Sequence, residues 1–333
     1  MLSSSVSSSP LSSSSLSGLA AAGLVAGIGI GQRFLGLAFA PVGRGGRFPN
    51  TAEGIARLVR RLIEAGAGRI VIEAIGSYAV PLVEALAAAG RTVVQVNPRR
   101  IKAFREAEGK RAKTDRLDAA LIARFGSLMP DALDPVPNAA SRALRALSVR
   151  RRQLTEAMAM EKTRLKQALE PLVIASLRRV IADLGEAVAA IELEIDRRLA
   201  TDPELDQRRR LVETIPGIGK RISSVLLTEL PELGRRDRKA IASLVGLAPQ
   251  VSQSGNAPPR AAIAGGRPCV RAALYMSALV AVRHDPHSKA AYEAMRAQGK
   301  PAKVALVAVA RRILVTANAI LKANRPYEPT RTA

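Results

Sequence analysis

The chain has 333 residues, with 51 Lys and Arg against 28 Asp and Glu, giving a formal net charge of +23. At 48% hydrophobic and 24% charged it is too apolar to be wholly disordered, and its length allows two or three domains with cores of their own. A single cysteine, Cys269, excludes an intramolecular disulfide framework and a cysteine-rich zinc module; it points to a reducing compartment, the cytoplasm and its nucleoid. Positive charge in this excess attracts polyanions, and nucleic acid is the expected partner class.

Residues 1–20 form a serine-rich leader, expected to be disordered, with no charged segment ahead of the apolar stretch that follows. That stretch is rich in small residues, which argues for a buried strand and against a secretory signal or a membrane span. Strands are expected over Leu24 to Ile30 and Phe34 to Phe39, then a short segment Gly46-Arg47-Phe48 and an amphipathic helix Thr51 to Ala65. A buried strand Arg69 to Ala74, a helix Ala79 to Ala89 and a strand Thr92 to Val96 follow. Three strands, then helix, strand, helix and strand is the order of a ribonuclease-H-like domain, placed at residues 21–130.

Glu73 lies at the carboxyl end of Arg69-Ile70-Val71-Ile72-Glu73, where α/β folds bring ligand-binding groups; a helix cap or an ion pair is the alternative role. Asn97 to Arg116 holds eight Lys or Arg and three acids. Its cations Arg99, Arg100, Lys102, Lys110, Arg111 and Lys113 are candidates for phosphate contacts. The run Lys113-Thr114-Asp115-Arg116-Leu117-Asp118 opens a helix, and Asp115 and Asp118, three apart, either hold one cation together or favour the helix dipole from its first turn.

Past Pro130 the strand patterns stop. Leu144, Leu147, Leu154, Met158, Leu165 and Leu169 recur at helical spacing within Ser141 to Leu169, and Asp183 to Leu199 continues in kind after an interruption near Pro171. The expectation is a helical hairpin or a dimerising coiled coil, a linker over residues 139–205. Residues 206–333 read as a separate all-helical domain of short helices broken by prolines.

Within that domain, Thr214-Ile215-Pro216-Gly217-Ile218-Gly219-Lys220 joins two helices and resembles a helix-hairpin-helix, in which Gly217, Gly219 and Lys220 meet a phosphate at a helix N-terminus. Gln253-Ser254-Gly255 sits in a polar loop punctuated by proline, with no His–Asp relay to activate the serine. The two histidines, in His284-Asp285-Pro286-His287, lack the partners of a zinc site, and Gly27, Gly29 and Gly31 do not complete a dinucleotide fingerprint.

Taken in order, Glu73, the Lys113–Asp118 run, the Pro216–Gly219 hairpin, Gly246-Leu247-Ala248-Pro249, Gln253-Ser254-Gly255 and Leu274-Tyr275 resemble the DEDD transposases of the "one-ten" insertion-sequence family. The resemblance covers Leu24 to the C-terminus. It implies a RuvC-like domain of ribonuclease-H fold, a coiled-coil spacer and a helical transposase domain carrying a nucleophilic serine. It assigns Glu73, Asp115 and Asp118 as Mg²⁺ ligands and Ser254 as nucleophile. It also implies DNA as substrate, a noncoding bridge RNA that pairs with it, and a homo-oligomer, dimer or tetramer, with no membrane involved.

One position departs from the family pattern: Gly29 stands where the first-strand aspartate is expected, and no Asp precedes Asp115. Losing one carboxylate of four is expected to weaken metal binding and strand cleavage. Two other readings follow: a catalytically silent relic that binds DNA or RNA, and a Holliday-junction-type nuclease on the same fold.

Overall fold

The structure is a computed structural model that describes residues 23–41, 45–73, 76–109, 115–252 and 260–329. It divides into two compact units, residues 1–137 and 138–333. The serine-rich leader, Lys110, Arg111, Lys113 and Ser254 lie outside the described residues.

The first unit is built on β1 (Val25–Ile30), β2 (Phe34–Ala40), β3 (Gly46–Pro49), β4 (Arg69–Glu73), β5 (Val93–Val96) and β6 (Asp134–Pro135), in the sheet order β3-β2-β1-β4-β5-β6. β1 runs antiparallel to β2 and parallel to β4, and β4 is parallel to β5. An antiparallel three-strand meander extended by parallel strands is the ribonuclease-H-like arrangement that the order of elements predicts. β6 goes beyond the expectation that strands end at Pro130: its two residues pair with Val94 and Gln95, a length too short for any alternation to register in the sequence.

Alternation along the strands gives the sheet two faces. One face carries Ala26, Ile28, Leu35, Leu37, Phe39, Ile70 and Ile72. It is covered by α1 (Ala52–Glu64) and α2 (Val80–Ala88). Helix α1 forms because Ile55, Leu58, Val59 and Leu62 make one apolar stripe at spacings of three and four, and the Thr51 hydroxyl accepts the N–H of Gly54 at its start. The opposite face carries Val25, Val71 and Val96. There α3 (Pro98–Ala107) contributes Ile101, and α4 (Asp115–Leu128) contributes Leu121, Ile122 and Phe125.

Helix α4 lies close against β1 because Gly27 has no side chain: a Cβ there would stand 2.2 Å from the Ala123 nitrogen and 2.3 Å from the Ala119 oxygen. Helix α3 is an element that the apolar pattern does not reveal. Asn97 caps it by accepting the Arg99 N–H, and Pro98 takes the first helical position, where its missing N–H is no loss.

The second unit begins with α5 (Ala139–Leu165) and α6 (Pro171–Thr201), packed on each other as a hairpin; at 1.5 Å per residue they are about 40 and 46 Å long. The seam passes through Leu144 and Leu154 but stops at Leu165; Leu169 lies beyond the helix and is 92% exposed. Pro171 starts α6 rather than interrupting a helix, and α6 is continuous through the expected Asp183 to Leu199 segment. Two carboxylates tie the pair to the rest of the unit. Glu192 pairs with Arg151 and Arg221, and the buried Glu229 with Arg145 and Arg152.

The remaining helices are α7 (Pro203–Glu213), α8 (Lys220–Glu229), α9 (Arg238–Val245), α10 (Pro268–His284), α11 (Pro286–Ala297) and α12 (Ala302–Ala323). Their shared core includes Val212, Leu226, Ile241, Leu274 and Leu314. Helix α12 is the one described helix long and apolar enough to span a membrane, and Ala310, Leu314 and Ala317 on it are fully buried in this core. Asp285 in the His284–His287 run is the N-cap of α11, accepting the Ser288 N–H, which accounts for the proline beside it.

The all-helical expectation for residues 206–333 is corrected by an antiparallel ribbon, β7 (Pro249–Ser252) and β8 (Arg260–Ile263), in the register Pro249↔Ile263 and Ser252↔Arg260. Four-residue strands, the first opening on Pro249 and the second following Pro258 and Pro259, look like loop until their pairing is known.

Candidate functional site

Four positions singled out in the sequence lie at one end of one sheet face. Val25 and Gly27 on β1, and Arg69 and Val71 on β4, face α4: Gly27 abuts Ala119 and Ala123, Arg69 donates to the Gly126 oxygen at 3.1 Å, and a Cβ on Gly126 would meet Val71 and Val25. Two residues further along each strand, Gly29 and Glu73 share that face. The parallel register Gly27↔Val71, Ile28↔Ile72 brings them side by side at the next step. Because Gly126 lies near Val25 and Ala119 near Gly27, α4 runs against β1, and its first turn, Asp115 to Asp118, is at the Gly29–Glu73 end.

Glu73 is half-buried and pairs in register with Val96. Asp118 is engaged: its Oδ1 lies 2.5 Å from Nη2 of Arg105 on α3, with the two side chains 14% and 18% exposed. A second pair, Glu108 with Arg124 at 3.0 Å, also joins α3 to α4. Arg105 is thus a site residue that sequence reasoning treated only as one of many cations, since nothing in a lone arginine reveals its partner. Carboxylate oxygens suit a hard divalent cation, but the guanidinium already neutralises Asp118 and Gly29 brings no donor. Among the described side chains no three of His, Cys, Asp and Glu converge as a metal-binding group.

The basic segment divides by task. Arg99 is exposed on the first turn of α3, Arg100 donates to the Ala132 oxygen at 2.9 Å, and Lys102 faces Glu106 across an exposed 4.0 Å pair. Arg100 therefore holds the end of the unit's chain in place, while Arg99 and Lys102 face solvent.

In the second unit, α7 and α8 are joined by the glycine turn, anchored in the core by Ile215 and Ile218. The two glycines differ in role. Gly217, at φ +88°, faces α10, where a Cβ would meet the Ser277 oxygen at 2.5 Å; its bareness serves packing inside the protein. Gly219 has nothing within 4 Å of a Cβ position and precedes the exposed Lys220 at the start of α8. Only the second glycine has the open surroundings that the hairpin resemblance implies for both.

Ser254 belongs to the segment between β7 and β8. The base of that ribbon is fixed by close backbone contacts: Gly246 ends α9 at φ +77°, and a Cβ on Gly266 would lie 2.3 Å from the Gly246 nitrogen. Arg271 donates to the Val245 and Gly265 oxygens, while Arg267 is held by both Glu232 oxygens and the Glu229 carbonyl. These two arginines are structural ties of the ribbon.

Comparison with known proteins joins the two units in one family. A family model described as a transposase, the DEDD type of IS110, matches residues 41–174, and one described as "Transposase IS116/IS110/IS902 family" matches residues 209–293. The chain is 30% identical over 263 residues to the pilin gene-inverting protein of Moraxella bovis, covering 78% of this chain and 81% of that one. It is 31% identical over 230 residues to an uncharacterized 42 kDa protein of insertion element IS900 from Mycobacterium paratuberculosis, covering 64% and 55%. Among solved structures, T. thermophilus RuvC in complex with a Holliday junction matches 34% of this chain at 18% identity and a TM-score of 0.28. With matched segments in both units and a relative covered over four-fifths of its length, the chain belongs to the IS110 family of insertion-sequence transposases.

Proposed function

We propose that this transposase cuts and rejoins DNA through a phosphoserine link at Ser254, with Glu73, Asp115 and Asp118 as ligands for Mg²⁺ and a bridge RNA selecting the DNA partners. The reading is supported by the gathering of positions 29, 73, 115 and 118 at one end of one sheet face. In the cleavage step the Ser254 Oγ–phosphorus bond forms as one bridging phosphorus–oxygen bond breaks. The serine proton passes to solvent, and the departing deoxyribose oxygen takes up a proton. The reverse attack by another strand's hydroxyl restores a phosphodiester without ATP, because the bond energy is kept in the serine ester. A bound divalent ion supplies charge stabilisation at the scissile phosphate. The working form is a homo-oligomer, dimer or tetramer, so that the units of different copies meet on DNA, with Arg99, Lys102, Lys110, Arg111, Lys113, Gly219 and Lys220 at its phosphates.

Gly29 and the Arg105–Asp118 pair both lower the affinity of this end of the sheet for a cation, which favours a second reading: a copy silenced at its metal site that still binds nucleic acid. The test is amplification of the excised circular junction from cells carrying the whole element. The first reading expects junctions from the natural protein that are lost with Ser254→Ala; the second expects none from the natural protein, junctions with Gly29→Asp, and none with Gly29→Asp plus Ser254→Ala. Junctions from the natural protein would show that three carboxylates suffice. Junctions that survive Ser254→Ala would replace the serine mechanism with that of a junction nuclease. Silence from every version, with element ends and guide RNA intact, would leave the binding protein.

A further inference from the structure

Outside the residues already assigned, the second unit holds a cleft of 480 Å³ between the start of α9 and one face of α12, lined by Arg238, Lys239, Arg311, Arg312, Val315 and Ala319. Positions 308, 311, 312, 315, 316 and 319 recur at three and four, so the α12 wall is a single helical stripe with its two arginines at mid-height. The opposite wall is held by Asn318, which is buried, accepts the Gly234 N–H at 2.8 Å and donates to the Arg236 oxygen at 2.9 Å. The walls are therefore fixed before any ligand arrives.

The charge of the cleft is unbalanced. Arg238, Lys239 and Arg311 form no ion pair among the described residues, unlike Arg208, Arg209 and Arg210 of α7 in the same unit. The adjacent carboxylate, Asp237, is turned to its own helix, accepting the N–H groups of Lys239 and Ala240, which hold it below the usual carboxylate range. Cations gathered in one cleft repel one another unless an anion lies between them. The uncharged part of the α12 wall consists of Ala308, Val315, Thr316 and Ala319, with no aromatic side chain on which an unpaired base could stack.

We infer that this cleft seats the sugar–phosphate backbone of duplex DNA, with Arg238 and Lys239 on one side of the strand and Arg311 and Arg312 on the other. The inference rests on the DNA-handling reading above and adds to it a contact surface made of residues that reading does not use. Small aliphatic side chains between cations accommodate a backbone without reading its sequence.

The test uses the full-length protein and a fluorescein-labelled duplex of arbitrary sequence, titrated across a salt series. Each phosphate contact contributes about 0.9 to the slope of log K against log salt, so Arg238→Gln with Arg311→Gln is expected to lower it by about 1.8. Arg57→Gln with Arg60→Gln, which removes the same charge from exposed positions of α1, is expected to leave the slope unchanged. Arg238→Lys with Arg311→Lys keeps the charge and the slope. If the double variant unfolds, the exposed Arg238→Gln alone, with a loss of about 0.9, decides the question. An unchanged slope, or an equal loss in the α1 variant, overturns the cleft while duplex binding by the natural protein upholds the wider reading. A loss seen only with single-stranded RNA of the same sequence overturns the DNA assignment. A natural protein that binds no duplex at all overturns both.

Discussion

The two faces of β1 are closed in opposite ways. Ala26 and Ile28 meet α1 and α2 through a layer of large side chains, whereas Gly27, one residue between them, meets α4 with almost nothing interposed. The first face is sealed by buried apolar volume, which can be trimmed and partly refilled. The second is sealed by backbone proximity, which has no slack. The carboxylate positions lie at the end of the second face, where the helix that bears Asp115 and Asp118 is set by contact with the strand itself.

That contrast is broken most severely by Gly27→Val. The new side chain would enter the Ala119–Ala123 turn, and a loss of more than about 4 kcal/mol is expected, leaving the first unit unfolded in circular dichroism and prone to proteolysis. Ile28→Ala, on the neighbouring residue and the other face, is expected to cost about 3 kcal/mol through the cavity it leaves, with the protein still folded but its urea midpoint lowered. Should the order of the two effects reverse, the account of the two faces is wrong. Arg105→Gln sharpens it at the carboxylate end. It is expected to cost only about 1–2 kcal/mol, because the pair is not fully buried and the amide can still donate to Asp118. In the same variant, isothermal titration with Mn²⁺ should show tighter binding than the parent, since a competing cation has gone; unchanged affinity would remove Asp118 from the ligand set.

Much of the first unit can be read from residues alone because its strands are continuous apolar runs and its helix α1 has a single stripe, so periodicity and punctuation agree. The same logic fails for α3, whose charged sequence has only Ile101 buried; the Asn97-Pro98 cap was the available signal. It fails again at β7 and β8, where pairing partners are eight or more residues apart and each strand is too short to show alternation. For the site, the residue types and their order were legible. What was not legible is a matter of third dimensions: that Arg105 reaches Asp118 from another helix, and that Gly217 is bare for the sake of Ser277 while Gly219 is bare toward solvent. Single glycines and arginines carry no pattern, so their tasks appear only with their neighbours.

The seating of Glu229 bears on how the protein can be handled. Its side chain is 5% exposed, while its partners Arg145 and Arg152 of α5 are 63% and 38% exposed. Beside these pairs, however, Leu144, Ile195 and Leu199 of the hairpin bury Leu227 of α8, an apolar join that mobile ions, which screen exposed charges, do not weaken. Contacts to polyanions on the surface rest on such exposed charges. Concentrated salt should therefore strip carried-over nucleic acid from the purified protein and leave the hairpin seated, so that a clean apoprotein is obtained by elution rather than by denaturation and refolding.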